Sequence, residues 1–304
     1  MVFLKTCAMG PVARSSVHTV ILEPIDGTKE SDEIMTEKIP RRIIQTDKSA
    51  DLPLSAKAAT LNLRLLNPDF EYLFFIDAQV EEFIDAEFPQ YRPVFDSFSV
   101  RIQRYDLFRY LAVYRFGGFY FDTDVLLASS LEDLLGFGCV FPFEHLSVLS
   151  FLCKEYGMDW EIGNYAFGAA AGHPFLEAII KNCVRAQQHP EWVEAMMKSI
   201  PRMFRSEYFV LATTGPCLLS RTLAEFPGAC DQVEVLFPED VCDPNSWFCF
   251  GAYGVHLQVG TWRKRKGLVR RVLHRLWESR TRKALLKESL KRGGKRTLEF
   301  KCSL

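Results

Sequence analysis

The chain has 304 residues, of which 48% are hydrophobic and 25% charged, a composition typical of a globular protein with ample material for a core. No apolar run approaches the roughly 20 residues that span a bilayer, and the N-terminus does not read as a signal peptide. The nine cysteines are scattered without a CxxC pair. This argues against a cysteine zinc site and favours a reducing compartment, so we expect a cytoplasmic protein.

The net charge of −1 hides a strong polarity along the chain. Residues 261–304 hold 16 Lys or Arg and 3 Asp or Glu, which is +13, whereas the rest of the chain carries −14. Such asymmetry predicts that the C-terminal segment meets an anionic surface. An aromatic-rich platform for nucleic acid is missing, so no nucleic-acid partner is expected.

In chain order, residues 1–38 lack a clear period and are predicted to be loosely ordered. Strand and helix patterns then alternate, which predicts an α/β fold with a mostly parallel sheet and ligands at the strand ends. The apolar run at 72–77 is typical of a strand buried on both faces. In the first half the predicted strands are 40–46, 72–77 and 118–124, and the predicted helices are 56–66, 80–88 and 100–115.

The second half is less regular. A short helix is predicted near 131–135, and a basic amphipathic helix begins near residue 268. The predicted domains are the N-terminal segment 1–38, a catalytic domain 39–262 and a basic helical tail 263–304. The other predicted elements are the helices 174–186, 191–199 and 214–225 and the strands 232–237 and 253–257.

The sequence Gly-Gly-Phe-Tyr-Phe-Asp-Thr-Asp-Val at residues 117–125 is the most informative stretch. Side chains alternate along a strand, so Asp122 and Asp124 should project to one side of an extended segment. Two carboxylates this close favour a divalent cation, because hard cations prefer oxygen ligands. An isolated Asp-x-Asp is more often a polar turn, but the surrounding residues favour the metal site.

Asp106 and Arg109 lie three residues apart on the predicted helix before this motif, and so share one helical face. They are interpreted either as a surface ion pair or as a clamp for a sugar, whose hydroxyls and phosphate both side chains can bind.

Three further residue groups carry weaker signals. His256 lies in an apolar strand and is either a structural residue or a neutral imidazole that completes the metal shell with Asp124. Asn164 follows a glycine in a loop that could face the donor sugar or acceptor. Thr214 precedes Gly215 and Pro216 in a predicted helix N-terminus, where free N–H groups can bind an anion.

Together these segments resemble glycosyltransferase family 32, the group with an Asp-x-Asp sugar-binding region. The group includes initiating α-1,6-mannosyltransferases, mannosyl-inositol-phosphoceramide synthase subunits and bacterial relatives. The resemblance runs from residues 39–46 (IPRRIIQT) to 256–262 (HLQVGTW), and its specific core is residues 106–110 (DLFRY) and 117–124 (GGFYFDTD). The sequences GHPF at 172–175 and TGP at 214–216 support it.

The resemblance implies a GT-A fold, a retaining mechanism, a nucleotide-sugar donor and a divalent metal, usually Mn²⁺ with Mg²⁺ as the alternative. The implied function is transfer of a hexose, with mannose favoured, to a glycan or lipid-linked acceptor. The implied catalytic residues are Asp106, Arg109, Asp122 and Asp124. The implied metal ligands are Asp122, Asp124 and His256. The implied donor-binding residues are Asp106, Arg109, Gly118, Tyr120, Asp122 and Asn164.

The family pattern is not complete. Ile44 stands before Gln45 where a histidine is common, and no tryptophan follows, which leaves GDP-mannose and UDP-sugars (glucose, galactose, N-acetylglucosamine) as alternative donors. A protein that binds nucleotide sugar without turnover is a second alternative, and a metal-dependent phosphohydrolase would need more clustered ligands.

Golgi members of the family carry an N-terminal anchor that this sequence lacks. This favours a cytoplasmic, peripheral membrane enzyme over a Golgi-lumen enzyme whose anchor has been removed. The basic tail is interpreted as an interfacial helix on anionic lipid, or as a helix packed on the catalytic domain.

Overall fold

A computed structural model describes residues 38–259 and 268–291 of the chain. The predicted loosely ordered segment lies outside the described residues except for Lys38, as do the flanks of the basic tail. None of the described helices is both long and apolar enough to cross a membrane.

The strands lie mostly in the first two thirds of the chain. They are β1 (Arg42–Thr46), β2 (Glu71–Phe75), β3 (Gly118–Phe121), β4 (Val125–Leu127), β5 (Cys139–Leu146), β6 (Trp160–Ile162), β7 (Ala166–Ala169), β8 (Glu234–Leu236), β9 (Cys249–Phe250) and β10 (Gly254–His256).

The helices alternate with these strands at first and then follow one another. They are α1 (Leu54–Leu66), α2 (Asp77–Glu87), α3 (Arg92–Ser97), α4 (Arg101–Phe116), α5 (Ser150–Tyr156), α6 (Pro174–Gln188), α7 (Pro190–Met197), α8 (Arg205–Thr213), α9 (Pro216–Glu225), α10 (Ala229–Gln232) and α11 (Leu268–Lys291).

The central sheet has the strand order β2-β1-β3-β7-β5-β6, with β8 paired to β5. Strands β2, β1 and β3 are parallel to one another, and β5 is parallel to β8. Strand β7 is antiparallel to β3 and β5, and β6 is antiparallel to β5. Five of the seven strands therefore share one direction. This confirms the predicted α/β fold, with a mostly parallel central sheet and flanking helices. A second sheet joins β4, β10 and β9.

The glycine pair between α4 and β3 is required by the backbone. Gly117 ends the helix with φ +66°, a conformation that L side chains rarely adopt. Gly118 has φ +104°, and a Cβ on it would lie 2.6 Å from the Arg42 carbonyl oxygen of β1. The pair thus lets the chain leave a buried helix and pair with β1 without a gap.

The helix predicted at 214–225 is confirmed as α9, which begins at Pro216 after the Thr214–Gly215 turn. Two other predictions of secondary structure were wrong. Strand β2 is only half buried, because it is an edge strand that pairs with β1 alone among the described strands. The fully buried strand β5 and its partners β6 and β7 were not predicted.

Candidate active site

The Asp-x-Asp segment is a turn between β3 and β4, so the expected strand alternation is wrong. Strand β3 ends at Phe121, and the backbone N–H of Asp122 donates to the Tyr165 carbonyl oxygen at 2.7 Å. The Val125 N–H then donates back to the Asp122 carbonyl oxygen at 3.2 Å. The tight turn brings the two carboxylates together, as alternation would have done.

His256 reaches this turn through the second sheet. Strand β10 pairs antiparallel with β4, and His256 lies opposite Val125 in the register. Its Nε2 atom lies 3.2 Å from Asp124 Oδ1, and the Val259 N–H donates to Asp124 Oδ2 at 2.8 Å. Burial alone would raise the pKa of Asp124, but the hydrogen bonds with His256 and Val259 outweigh it and lower that pKa.

These three side chains form a candidate metal centre. Asp122, Asp124 and His256 each offer one ligand atom, and the three atoms lie within 4.8 Å of one another. All three side chains are partly exposed, at 28%, 17% and 18%. Two carboxylate oxygens and an imidazole nitrogen suit Mn²⁺ or Mg²⁺, so the residues present fit the implied metal. Within the described part of the chain no other such group occurs.

Arg109 lies directly beneath the turn. Helix α4 places Asp106 and Arg109 on its buried face, where their side chains are only 5% and 4% exposed. Arg109 Nη2 lies 3.2 Å from Asp106 Oδ1, and Nη1 lies 3.1 Å from Asp122 Oδ1. The interpretation as a surface ion pair is therefore wrong. Although burial lowers it, the carboxylates of Asp122 and Asp106 raise the pKa of Arg109 and keep it charged.

Asp106 is held by residues from two distant segments. Asn164 Nδ2 donates to its Oδ1 at 3.0 Å, and Thr214 Oγ1 donates to its Oδ2 at 2.8 Å. The Asn164 carbonyl oxygen accepts from Arg109 at 2.8 Å. Burial raises the pKa of Asp106 to about 6, and the charge of Arg109 and the Thr214 hydrogen bond oppose that rise.

Tyr120 and Gly118, the two other predicted donor-binding residues, both have structural contacts. The Tyr120 hydroxyl donates to Asp122 Oδ1 at 2.8 Å, and its buried ring lies 4.7 Å from the Arg109 guanidinium. Tyr120 thus supports the site from below. Gly118 lies at the other end of β3, packed against Arg42, where close strand approach explains the glycine. The prediction that Gly118 contacts the donor is therefore wrong.

The structure adds residues that the sequence did not nominate. The Tyr110 hydroxyl accepts from Asn164 at 2.9 Å and donates to the Thr214 carbonyl oxygen at 2.7 Å. Gln45 is fully buried and its Nε2 donates to the Asp122 carbonyl oxygen at 3.4 Å. Tyr110 lies in the 106–110 segment that carries the family resemblance, but the sequence does not show that its hydroxyl contacts Asn164 and Thr214.

Comparison with known proteins identifies the same region. Residues 53–140 match the family model described as "Glycosyltransferase sugar-binding region containing DXD motif". Inositol phosphoceramide mannosyltransferase 3 of Schizosaccharomyces pombe is 30% identical over 186 residues, which cover 60% of this chain and 44% of that protein. Mannosyl phosphorylinositol ceramide synthase SUR1 of Saccharomyces cerevisiae is 29% identical over 182 residues, covering 60% and 41%.

The chain thus spans about half the length of the curated relatives it matches. Among solved structures, the PaToxG glycosyltransferase aligns over 63% of this chain and 72% of that chain, with 16% identity and a TM-score of 0.44. The resemblance expected from the sequence motifs is confirmed by the family match and the curated relatives.

Proposed function

Because residues 53–140 match the model of the glycosyltransferases with a DXD-containing sugar-binding region, we propose that the chain is a metal-dependent, retaining hexosyltransferase. The proposed donor is a nucleotide sugar, with mannose favoured because the relatives are named as inositol phosphoceramide mannosyltransferases. The proposed acceptor is a glycan or a lipid-linked acceptor. The observation that carries this proposal is the bridge of Arg109 between Asp106 and Asp122, beside the Asp124–His256 pair.

Asp122, Asp124 and His256 would hold the metal, Mn²⁺ in preference to Mg²⁺. When bound there, the metal supplies Lewis-acid stabilisation of the negative charge on the leaving diphosphate. The Val259 N–H and the Tyr120 hydroxyl each hold one carboxylate oxygen, so the ligands are oriented before the donor arrives.

Arg109 and Asp106 would form the floor of the donor-sugar site. Only an edge of each side chain reaches solvent, so their contact with a sugar is confined to that edge. Arg109 adds fixed positive charge beneath the place where the glycosyl phosphate departs, in a buried setting where charge is weakly screened. Asn164 links the two residues to the loop before β7 and would bind the donor sugar from that loop.

Retention is proposed from the family resemblance, and the way the carboxylates are occupied argues against a covalent intermediate on Asp106 or Asp122. Both oxygens of Asp106 accept hydrogen bonds, and Asp122 pairs with Arg109 and Tyr120. Neither is placed to attack the anomeric carbon in the manner of a retaining glycosidase nucleophile. We therefore infer attack by the acceptor hydroxyl on the face from which the diphosphate leaves. The glycosidic bond forms as the bond to phosphate breaks, and the hydroxyl proton passes to the departing phosphate.

A donor screen tests the proposal. The full chain would be incubated with Mn²⁺ and GDP-mannose, UDP-glucose, UDP-galactose or UDP-N-acetylglucosamine, and released nucleotide measured with and without an inositol phospholipid acceptor. We expect one donor to be turned over in a Mn²⁺-dependent manner. Asp124→Asn should abolish that turnover, because it removes an anionic ligand at constant size.

The screen also separates the alternatives. Turnover of a UDP-sugar alone would keep the reaction class and change the sugar. Tight donor binding without any turnover would instead indicate a nucleotide-sugar-binding protein. Activity in EDTA equal to that in Mn²⁺ would refute the metal site.

A further inference from the structure

Tyr165 contacts two residues of the candidate metal centre, Asp122 and His256. Its carbonyl oxygen accepts the Asp122 N–H at 2.7 Å, on the side of the Asp-x-Asp turn. Its ring stacks on the imidazole of His256, with centroids 4.4 Å apart and the planes 21° from parallel. One residue on the loop before β7 is therefore in contact with two of the three proposed ligands.

The way the His256 ring is held makes this stack important. A metal-binding histidine usually has its second ring nitrogen fixed by a hydrogen bond, which sets the plane of the ring. Here Nε2 faces Asp124, whereas Nδ1 is buried and has no hydrogen-bond partner among the described residues. The backbone N–H of His256 is bonded to Phe248, but that bond does not set the ring orientation. The Tyr165 stack, by contrast, constrains the plane of the imidazole ring directly.

The ring of Tyr165, and not its hydroxyl, is the part that the surroundings accommodate. The hydroxyl is buried without a hydrogen-bond partner in residues 38–259 or 268–291, an arrangement that costs stability. Gly163 leaves space for the ring, because a Cβ there would lie 2.6 Å from Tyr165 Cε1. The glycine of the Gly163-Asn164-Tyr165 sequence is thereby explained by the tyrosine ring.

We propose that Tyr165 is a positioning residue of the metal centre, whose ring holds the His256 imidazole in the orientation that binds the metal. It acts through His256 and Asp122 and does not itself contact metal or donor. This inference rests on the proposed function, since it takes Asp122, Asp124 and His256 as the ligands.

The test measures Mn²⁺ affinity of the full chain without donor, by titration followed with the electron paramagnetic resonance signal of free Mn²⁺. Tyr165→Leu removes the ring and should weaken Mn²⁺ binding by about 10-fold to 100-fold, the usual effect of losing the partner of a ligand. Tyr165→Phe keeps the ring and should bind within about twofold of the wild type. Tyr165→Met, which refills most of the volume without a ring, should behave like Tyr165→Leu.

Phe175→Leu is the matched control. Phe175 is a fully buried aromatic residue that packs on Phe141 and Phe226, so its replacement tests loss of a core ring as such. It should lower the melting temperature and leave Mn²⁺ affinity unchanged.

The outcomes distinguish the two levels of inference. If the wild type binds Mn²⁺ no better than Asp124→Asn, the proposed metal centre itself fails. If the wild type binds and Tyr165→Leu and Tyr165→Met bind equally well, the role of Tyr165 is refuted and the metal centre stands. A tenfold loss in Tyr165→Phe would also refute it, because the hydroxyl would then be the active part. Circular dichroism spectra establish that each variant is folded before it is scored.

Discussion

Arg109 lies between two carboxylates, the buried Asp106 and the partly buried Asp122, and compensates their negative charges. Lysine at this position keeps the charge but has a single nitrogen, which cannot reach Asp106, Asp122 and the Asn164 carbonyl at once. We expect Arg109→Lys to lower kcat/KM at least 100-fold. It should also lower the free energy of unfolding by about 2–3 kcal/mol, the size of lost charged hydrogen bonds. Steady-state kinetics and urea unfolding measure the two effects.

Arg92 provides the control for this substitution. Its guanidinium also meets three carboxylates, those of Glu81, Asp85 and Asp96, but a third of its side chain is exposed. Solvent screens such pairs, so Arg92→Lys should change the free energy of unfolding by less than about 1 kcal/mol. Equal behaviour of the two variants would mean that burial gives the Arg109 bridge no special weight.

Asp106 predicts a pH dependence of stability. Burial raises its pKa to about 6 from an ordinary value of 3.8, so the folded chain binds this proton more tightly than the unfolded chain. Lowering the pH from 7 to 5 should therefore stabilise the fold through Asp106, by about 1 kcal/mol. That contribution disappears as the pH rises through about 6.

Asp106→Asn isolates the effect, because the amide is close in size and does not titrate. Urea unfolding in EDTA at pH 7 and pH 5 gives the pH response of the wild type and of the variant. The wild type should gain more stability, or lose less, on acidification than the variant does. The same response in both proteins would mean that Asp106 titrates as an ordinary exposed carboxyl group.

Helix α11 packs on the catalytic domain with one face and exposes the other. The packed face fits the interpretation of the basic tail as a docked helix, and the exposed face fits the interpretation as an interfacial helix. On the inner face Trp277 packs on Phe204 and Tyr208, and the Tyr208 hydroxyl donates to Glu278 at 2.8 Å. The outer face mixes apolar and charged side chains, with its large apolar residues in the first half. The exposed residues of α11 are Val272, Leu273, Arg275, Leu276, Ser279, Arg280, Lys283, Ala284, Lys287 and Glu288.

Truncation would be a poor test of membrane binding, because removing α11 would uncover the aromatic residues it covers. We expect instead that Leu273→Ser with Leu276→Ser weakens co-sedimentation with phosphatidylserine vesicles at low salt, since the exposed leucines are the residues able to insert. The melting temperature should change little. Leu61→Ser with Leu65→Ser, on the exposed face of α1, is the matched control. Unchanged vesicle binding of the α11 variant would argue against a membrane role.

At the scale of the whole molecule, local sequence patterns determined the features that depend only on residues close together in the chain. The i,i+3 spacing places Asp106 and Arg109 on one face of α4, and the two glycines mark where α4 ends and β3 begins. The relation to glycosyltransferases was also readable, since its core is contained in residues 106–124. The strand β5 escaped prediction because Pro142 and two polar residues interrupt its apolar pattern, as proline usually argues against a central strand.

Only the tertiary structure decided which distant residues meet. Thr214 and Asn164 reach Asp106 across 108 and 58 positions of the chain, and His256 reaches Asp124 through the register of β10 on β4. It also decided that the Asp106–Arg109 pair is buried and that Tyr165 stacks on His256. Periodicity reports which face of an element is apolar, whereas strand order and register depend on the packing of the whole core, which no short stretch of sequence contains.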